Sequence, residues 1–170
     1  MRYMKPSSLL NELKRVRFKS EERKLLGLDV GEKFVGLAVS DTSCTIASPL
    51  RVLVRRKSGN QSMIGILQKL VSEFSIDAFI FGSPWEAKKH NRLNAHMVKV
   101  FVDDLGESGY FDDLKFTYWD EGYTSKNVEM MLKPLDLNHF HSKQIVDKLA
   151  AVGILQAYLD FVNKMMKNET

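Results

Sequence analysis

One apolar run near the start of the chain contains a single acidic residue. Residues 25–30 are apolar except for Asp29, which predicts a strand buried on both faces. After Gly31 and a polar tip, apolar residues resume at 34–39 and predict the second strand of a hairpin, with glycine permitting a positive φ at the turn. A buried carboxylate calls for a cation or ligand, and the alternative is a structural aspartate that caps the turn.

The rest of the chain contains further apolar runs and helical stripes. In chain order they predict a strand at 45–54, a helix at 61–74, a strand at 77–81, a helix ending near Gly106, a strand at 115–119, a helix from Thr124 or Ser125 to Pro134, and a helix at 142–164. Proline is excluded from central strands because it cannot donate to the ladder. Pro49 therefore predicts an edge strand or a bulge.

Residues 1–24 differ in pattern from the rest of the chain. Ser7 and Ser8 are suited to cap a short helix with an apolar stripe and a basic face. The stripe is Leu9, Leu10, Leu13 and Val16, and the basic face is Lys14, Arg15, Arg17 and Lys19. We interpret this segment as an extension that packs on the domain, touches nucleic acid or derives from an organelle-targeting sequence, or else as a loosely ordered surface arm.

The composition narrows the class of protein. A chain of 170 residues with 44% hydrophobic and 27% charged residues suits one globular domain and excludes a fibrous or wholly disordered protein. The sequence contains no run of about 18 apolar residues, which argues against a membrane span. Its amino terminus has no apolar signal-peptide core. The single cysteine, Cys44, fits a reducing compartment, so we expect a cytoplasmic protein, or an organellar one if the source is eukaryotic.

Three acidic residues stand at places where a carboxylate is costly or close to a strand end. Asp29 lies on the first strand, Glu121 follows a later strand, and Asp147 heads an apolar stripe near the start of the last helix. On the same helix as Asp147, Ala150 and Ala151 are small enough to let the helix lie close to a sheet. The alternative for Asp147 is an interaction with the helix dipole or with a lysine one turn earlier.

Clustered carboxylate oxygens are the ligands that hard divalent cations prefer. The sequence lacks a cysteine and histidine set suited to zinc. His139 and His141 flank Phe140 in a predicted loop, either near a phosphate or simply solvated. One or two divalent ions held by carboxylates activate water and stabilise the oxygens of a phosphodiester. The three acids therefore predict metal-assisted hydrolysis with Mg²⁺ or Mn²⁺ as the cofactor.

Several short motifs occur in an order that is more specific than any one of them. They are Leu28-Asp29-Val30-Gly31, Gly36-Leu37-Ala38-Val39-Ser40-Asp41, Ala47-Ser48-Pro49-Leu50, Gly82-Ser83-Pro84, Trp119-Asp120-Glu121, and Val146-Asp147-Lys148-Leu149-Ala150-Ala151-Val152-Gly153-Ile154-Leu155-Gln156. On these residues the chain, from about residue 25 to residue 160, resembles the YqgF family of Holliday-junction-resolvase-like nucleases.

The resemblance implies an α/β, ribonuclease H-like fold with a mixed five-stranded sheet flanked by helices. It also implies a metal-dependent nuclease, associated with maturation of the 16S ribosomal RNA precursor and, by structural analogy, with branched DNA. Asp29, Glu121 and Asp147 match the family's three catalytic and metal-binding acids, and Asp120 matches an adjacent supporting aspartate. The implied boundaries are an N-terminal extension at 1–24, a nuclease domain at 25–166 and a tail at 167–170.

The chain departs from the family pattern in two places. The family usually has an arginine after its Asp-Glu pair, where this chain has Gly122, and we expect the change to affect the reaction rate or the binding of phosphate. A basic segment at 85–89 replaces the glycine-rich turn expected after Pro84. The segment at 137–143 is closer to eukaryotic, plant-like members than to bacterial ones.

Basic residues near the motifs are candidates to neutralise the phosphates of a nucleic acid. Trp85 or Trp119 is a candidate to stack on a nucleic-acid base. Trp119 lies within a predicted strand, which favours a buried core residue. The basic candidates are Arg55, Arg56, Lys57, Lys88, Lys89, Arg92 and Lys143, with Lys33 and Lys148 in supporting positions near the acids. The expected partner is structured RNA or branched DNA, and a four-way junction would favour a homodimer that presents two active sites.

Two other functions fit parts of the pattern. A ribonuclease H-like binding module whose catalysis has decayed accounts for Gly122, and it predicts salt-sensitive binding without metal-dependent cleavage. A sugar-kinase or actin-like ATPase shares an acid-and-glycine hairpin, but it needs a second glycine-rich phosphate segment that the sequence lacks. We therefore expect phosphodiester hydrolysis in ribosomal RNA precursor processing or in Holliday-junction resolution.

Overall fold

A computed structural model describes residues 1–17, 23–56, 59–83, 91–120 and 139–168. The strands are β1 (Arg2–Tyr3), β2 (Lys24–Val30), β3 (Phe34–Ser40), β4 (Ala47–Val54), β5 (Ile76–Ser83) and β6 (Lys115–Asp120). The helices are α1 (Pro6–Arg17), α2 (Gln61–Glu73), α3 (Asn91–Glu107) and α4 (His139–Asn168). No helix within these ranges is long and apolar enough to cross a membrane.

The strands form one mixed sheet in the order β1-β6-β5-β2-β3-β4. The first four of these strands are parallel to one another, and β3 and β4 are added as antiparallel strands. The implied five-stranded mixed sheet is therefore present, and the short β1 adds a sixth strand outside β6. The two predictions for Pro49 are both confirmed, because β4 is an edge strand and its register shifts next to the pair Pro49 and Ala38.

Helices cover both faces of the sheet. The core under α2 and α3 is rich in aromatic rings, and Phe79, Phe81 and Phe101 are fully buried there. On the other face, α1 and α4 cover a core in which small side chains such as Ala78 and Ala151 contact the sheet. The face under α4 therefore allows a closer helix approach than the face under α2 and α3.

The first 17 residues are part of the fold. β1 pairs with β6, Leu9 of α1 is fully buried, and the hydroxyl of Tyr158 donates a hydrogen bond to the carbonyl oxygen of Pro6 at 3.1 Å. Glu12 forms an ion pair with Lys115 of β6 at 3.6 Å. A loosely ordered arm is therefore wrong for residues 1–17, because strand pairing and the burial of Leu9 hold the segment on the sheet.

β4 begins two residues later than predicted. The amides of Thr45 and Ile46 donate to one carboxylate oxygen of Asp41 at 2.7 and 2.9 Å. An amide that bonds a side chain in this way is not available to the strand ladder. Thr45 and Ile46 therefore belong to the loop, and pairing begins at Ala47, opposite Ser40.

α4 begins three residues earlier than predicted, at His139. His139 and His141, which were expected in a loop, lie in its first turn, since no proline or glycine interrupts the segment from 139 to 152. The helix predicted between Thr124 or Ser125 and Pro134 lies outside the described residues.

Candidate active site

Asp29 lies one residue before the end of β2, an inner strand of the sheet. Its side chain is half-buried, whereas the neighbouring Leu28 and Val30 are buried in the core under α2 and α3. Successive strand residues face opposite sides, so Asp29 and Gly27 share the face that α4 covers. The cross-strand partner of Asp29 is Gly36, which contributes no side chain. The carboxylate therefore stands at the end of a buried strand, on the α4 face.

The turn that follows Asp29 is tight. The amide of Gly31 donates to the carbonyl oxygen of Phe34 at 2.8 Å, and a Cβ on Gly31 would lie 2.9 Å from the same oxygen. The expectation that glycine serves a positive φ here is wrong, because the close backbone approach is what requires it. The guanidinium of Arg55 donates a hydrogen bond to the carbonyl oxygen of Gly31 at 3.1 Å. The backbone amide of Arg55 donates to the carbonyl oxygen of Lys33 at 2.9 Å.

α4 lies directly on the backbone of β2 at Gly27. A Cβ on Gly27 would lie 2.7 Å from the Cβ of Leu155 and 3.1 Å from the carbonyl oxygen of Ala151. The small residues Ala150 and Ala151 are fully buried, which confirms their predicted role in close packing. Gly27 was not singled out from the sequence, although a lone glycine inside an apolar strand is a known indication of close backbone approach.

The carboxyl-terminal half of α4 is fixed to the connection between β3 and β4. The side-chain oxygen of Gln156 accepts from the amide of Ala47 at 2.8 Å, and its nitrogen donates to the carbonyl oxygen of Thr45 at 2.9 Å. Asn163 donates to the carbonyl oxygen of Cys44 at 3.0 Å. These three hydrogen bonds define an anchor, which we call the α4 anchor below.

The α4 anchor shows the direction of the helix relative to β2. Ala47 pairs with Ser40, and the hydroxyl of Ser40 accepts from the amide of Leu25 at 2.9 Å, at the beginning of β2. The carboxyl-terminal half of α4 therefore lies over the beginning of β2. The amino-terminal half extends past the Gly27 contact toward the end of β2 where Asp29 lies.

Asp147 precedes Ala151 by one helical turn and so occupies the face of α4 that meets β2. Asp147 stands four residues before Ala151 and eight before Leu155, so its backbone lies about 6 to 12 Å along the helix axis from these contacts, in the direction of the end of β2 where Asp29 lies. The side chain of Asp147 and all of Glu121 lie outside the described part of the chain. Among the side chains that are described, no group of three His, Cys, Asp or Glu residues is placed to hold a metal.

Asp120 ends β6, where it is exposed and pairs with Ser83 of β5. Asp120 is two residues after Tyr118 and four after Phe116, so it shares their face of β6. Phe116 and Tyr118 pack on the side of α2 and α3. By strand alternation Asp120 therefore falls on the face opposite to Asp29.

Trp119 packs into the core under α4. Its ring lies 5.3 Å from that of Tyr158 and 5.1 Å from that of Phe161, measured between centroids. This packing supports the core interpretation of Trp119, and Trp85 lies outside the described residues. Burial, together with the nearby Cys44, raises the pKa of Tyr158, so its hydroxyl stays protonated as a hydrogen-bond donor.

Three of the predicted phosphate-binding residues lie in or next to the turn that follows Asp29. Lys33 and Arg56 are exposed, whereas Arg55 is half-buried and its guanidinium lies 5.8 Å from the centroid of the Phe101 ring. Of the other candidates, Arg92 is exposed and Lys148 is half-buried. The structure does not describe Lys57, Lys88, Lys89 and the side chain of Lys143.

Asp41, a residue of the second motif, organises the loop that carries the α4 anchor. Its carboxylate accepts the amides of Thr45 and Ile46 and the hydroxyls of Ser43 and Thr45. Partial burial raises the pKa of Asp41, but these hydrogen bonds outweigh it and hold the pKa well below the usual 3.8. The sequence contained an indication of this role, since aspartate followed by serine and threonine is typical of side-chain-stabilised turns.

The sheet order, with helices on both faces, defines an α/β protein of the ribonuclease H-like fold class. The chain shares its fold with Thermus thermophilus RuvC, solved in complex with a Holliday junction substrate, at a TM-score of 0.51 and 12% identity. That match covers 83% of this chain and 96% of RuvC.

Relatives in sequence narrow the class to one family. The model of the RuvX family, described as Holliday junction resolvase, matches residues 23–161. A protein of Syntrophomonas wolfei named "Putative pre-16S rRNA nuclease" is 34% identical over 137 residues, which are 81% of this chain and 94% of that protein. One of the same name from Paramagnetospirillum magneticum is 32% identical over 160 residues, covering 94% of this chain and 96% of the relative.

The chain belongs to the RuvX family, also called YqgF. The resemblance identified from the motifs is confirmed, over nearly the same residues. This assignment replaces the sugar-kinase or actin-like alternative, because the family match spans most of the chain.

Proposed function

We propose that the chain is a divalent-metal-dependent nuclease that hydrolyses phosphodiester bonds in structured nucleic acid, either a ribosomal RNA precursor or branched DNA. The observation that carries the proposal is the close contact between Gly27 and α4, which supports a site where the amino-terminal half of the helix, with Asp147, approaches the end of β2 that bears Asp29. The names of the two bacterial relatives, and the substrate in the RuvC complex, support these two substrate classes.

The residues present fit a hard divalent cation. Asp29 is a half-buried carboxylate, and carboxylate oxygens are the donors that Mg²⁺ and Mn²⁺ prefer. We assign Asp29, Asp147 and Glu121 as the residues that would hold the ion. When bound, the ion supplies positive charge at the phosphate and favours deprotonation of the attacking water.

The protein's own elements hold the backbone of Asp29 and of Asp147 before substrate arrives. Asp29 is held by the strand pairing of β2, and Asp147 by a helix whose far half is fastened through the α4 anchor. Such preorganisation lowers the barrier because little rearrangement is needed during the reaction. Exposed Lys33 and Arg56 beside the turn are suited to neutralise backbone phosphates.

The inclusion of Glu121 rests on its position in the sequence directly after β6. Thr117 and Trp119 occupy odd positions of β6, and Trp119 packs on the α4 side. Glu121 has the same parity in sequence, whereas Asp120 has the opposite one. We therefore rank Glu121 above Asp120 as a partner of Asp29.

A binding module with decayed catalysis is the second candidate, and the specific observation in its favour is Gly122 at the usual place of an arginine. Such a module would bind the same nucleic acids with strong salt dependence but would not cut them. A homodimer, and a location in the cytoplasm or an organelle, stay predictions from the sequence.

The experiment is a cleavage assay on a four-way DNA junction and on a structured ribosomal RNA precursor, with Mg²⁺, with Mn²⁺ and with a chelator. We expect metal-dependent cleavage by the wild type and a loss of about 100-fold or more in Asp29→Asn. The matched control is Asp103→Asn, which changes an exposed acid on α3 that pairs with Lys99 at 3.0 Å. We expect this control to cut like the wild type.

Cleavage by Asp29→Asn at the wild-type rate would contradict the proposal. Binding of both substrates without cleavage at any metal concentration would favour the decayed module instead.

A further inference from the structure

Arg55 belongs to a basic run whose sequence suggests a phosphate-binding segment, but its surroundings tie it to the protein. Its amide extends the pairing of β3 and β4 by donating to the carbonyl oxygen of Lys33. Its guanidinium turns back across the hairpin to the carbonyl oxygen of Gly31 and lies over the buried ring of Phe101. The side chain is accordingly half-buried, unlike that of the exposed Arg56.

The bond to Gly31 acts on the turn that follows Asp29. Gly31 lies two residues past Asp29, and its amide already donates to Phe34 across the turn. The Arg55 guanidinium donates to the carbonyl oxygen of Gly31. Both backbone polar groups of Gly31, the amide and the carbonyl, are therefore hydrogen-bonded. A hydrogen bond from a charged donor is about twice as strong as a neutral one, and the attraction of the guanidinium to the Phe101 ring is a second interaction that holds the side chain in place.

Arginine suits this place better than lysine would. Its planar guanidinium can lie over the Phe101 ring while one edge donates to a carbonyl oxygen, whereas an ammonium group lacks that flat surface. The residue therefore connects α3, the end of β4 and the turn of β2 and β3. The carbonyl oxygen of Arg56 accepts a hydrogen bond from the amide of Gly59 at 3.2 Å, and the side chain of Arg56 is exposed.

We propose that Arg55 is a positioning residue, which fixes the turn at 31–34 and through it the place of Asp29, while Arg56 beside it contacts the nucleic-acid backbone. The kinetic part of this inference rests on the proposed nuclease function. The structural part does not, because the order of the turn can be measured without any cleavage.

The experiment compares three variants of the full chain. Arg55→Met keeps an apolar stem over Phe101 but removes the donor and the charge, and Arg55→Lys keeps the charge without the planar group. Arg56→Met is the matched control at the adjacent exposed position. Three quantities are measured: hydrogen exchange of the amides of Gly31 and Arg55, the salt dependence of binding to a four-way DNA junction, and kcat and KM for cleavage with Mg²⁺.

A positioning role predicts that exchange at Gly31 and Arg55 rises about tenfold or more in Arg55→Met, and rises also in Arg55→Lys. It predicts that kcat falls on the order of 10-fold to 100-fold in both variants, while KM and the salt slope of binding stay as in the wild type. Arg56→Met is expected to lower the salt slope by about 1 and to leave the exchange of the turn unchanged.

Wild-type exchange at Gly31 in Arg55→Met would overturn the inference, and so would a reduced salt slope that Arg55→Lys restores. The second result would make Arg55 a phosphate ligand. If the wild type does not cut any substrate, the proposed function fails, and exchange together with the salt slope still decides the role of Arg55.

Discussion

The two halves of α4 meet the sheet in different ways. The carboxyl-terminal half is fastened by the α4 anchor and by buried side chains such as Tyr158 and Leu159. The amino-terminal half, beyond the Gly27 contact, contains Asp147 and Lys148 and extends toward the end of β2. We infer that the carboxyl-terminal half provides stability and the amino-terminal half provides chemistry. Changes in the two halves should therefore affect different measurements.

The largest expected effect comes from Asp147→Asn in the chemical half. We expect cleavage to fall about 100-fold to 1,000-fold, because the acid contributes to holding the ion. Without metal the melting temperature should not fall, since in the proposed site the change removes one of three carboxylates that would repel one another. Mg²⁺ should raise the melting temperature of the wild type and not that of the variant, which calorimetry would measure.

A marked loss of stability in Asp147→Asn without metal would contradict this division. It would mean that Asp147 belongs to the fastening of the helix rather than to the chemistry.

Gly27→Ala should disturb both halves together. The new methyl group would lie 2.7 Å from the Cβ of Leu155, so α4 has to move away from β2. We expect the free energy of unfolding to fall by about 1–3 kcal/mol, and cleavage to fall with it because Asp147 moves with the helix. Urea unfolding and the cleavage assay measure the two effects.

The matched control for Gly27 is Gly65→Ala on α2, where no described atom outside the helix's own backbone lies within 4 Å of the added methyl group. We expect this control to keep or increase the free energy of unfolding, by up to about 1 kcal/mol, because alanine favours the helix. If both variants unfold at the wild-type urea concentration, the contact of α4 with β2 is looser than the structure shows.

Asp41→Asn tests the loop that carries the α4 anchor. The change weakens a carboxylate that accepts four hydrogen bonds, and we expect a loss of about 1–2 kcal/mol at pH 7. Because the folded pKa lies below the usual 3.8, the stabilisation is present above that pH and is lost as the pH falls below it. The difference between wild type and variant should therefore shrink below about pH 4 in unfolding experiments. A difference that is constant with pH would exclude the ionised carboxylate as its cause.

The smallest effect is expected for Tyr158→Phe. Loss of the 3.1 Å hydrogen bond to Pro6 should lower the free energy of unfolding by about 1 kcal/mol, because a partly buried carbonyl loses its donor. Cleavage should not change. Tyr110→Phe, at an exposed tyrosine, is the control and should unfold like the wild type. A fall in cleavage for Tyr158→Phe would show that the two halves of α4 are coupled through α1.

The sequence predicted most of the elements because their patterns are local. The hairpin of β2 and β3 follows from two apolar runs around a glycine, and α2 follows from apolar residues at helical spacing. The starts of β4 and α4 were displaced for different reasons. The Asp41 carboxylate takes the amides of Thr45 and Ile46, whereas the first turn of α4 has no local boundary residue.

The candidate site could be predicted only in part. Asp29 stands out because a carboxylate interrupts an apolar strand, and this is visible in a few residues. The supporting contacts join residues far apart in the chain, such as Gly27 with Leu155 and Arg55 with Phe101. No local pattern distinguishes an arginine that binds phosphate from one that holds a turn, since the distinction depends on tertiary packing.

The short strand β1 protects a region that would otherwise invite self-association. The amides of Arg2 and Met4 donate to the carbonyl oxygens of Leu114 and Phe116, and the ring of Tyr3 packs on that of Phe116. A chain shortened to the family match at residue 23 would leave these carbonyl oxygens bare along an open β6 edge. Such an edge is a template for intermolecular strand pairing, so the shortened protein should aggregate at concentrations where the full chain stays dispersed.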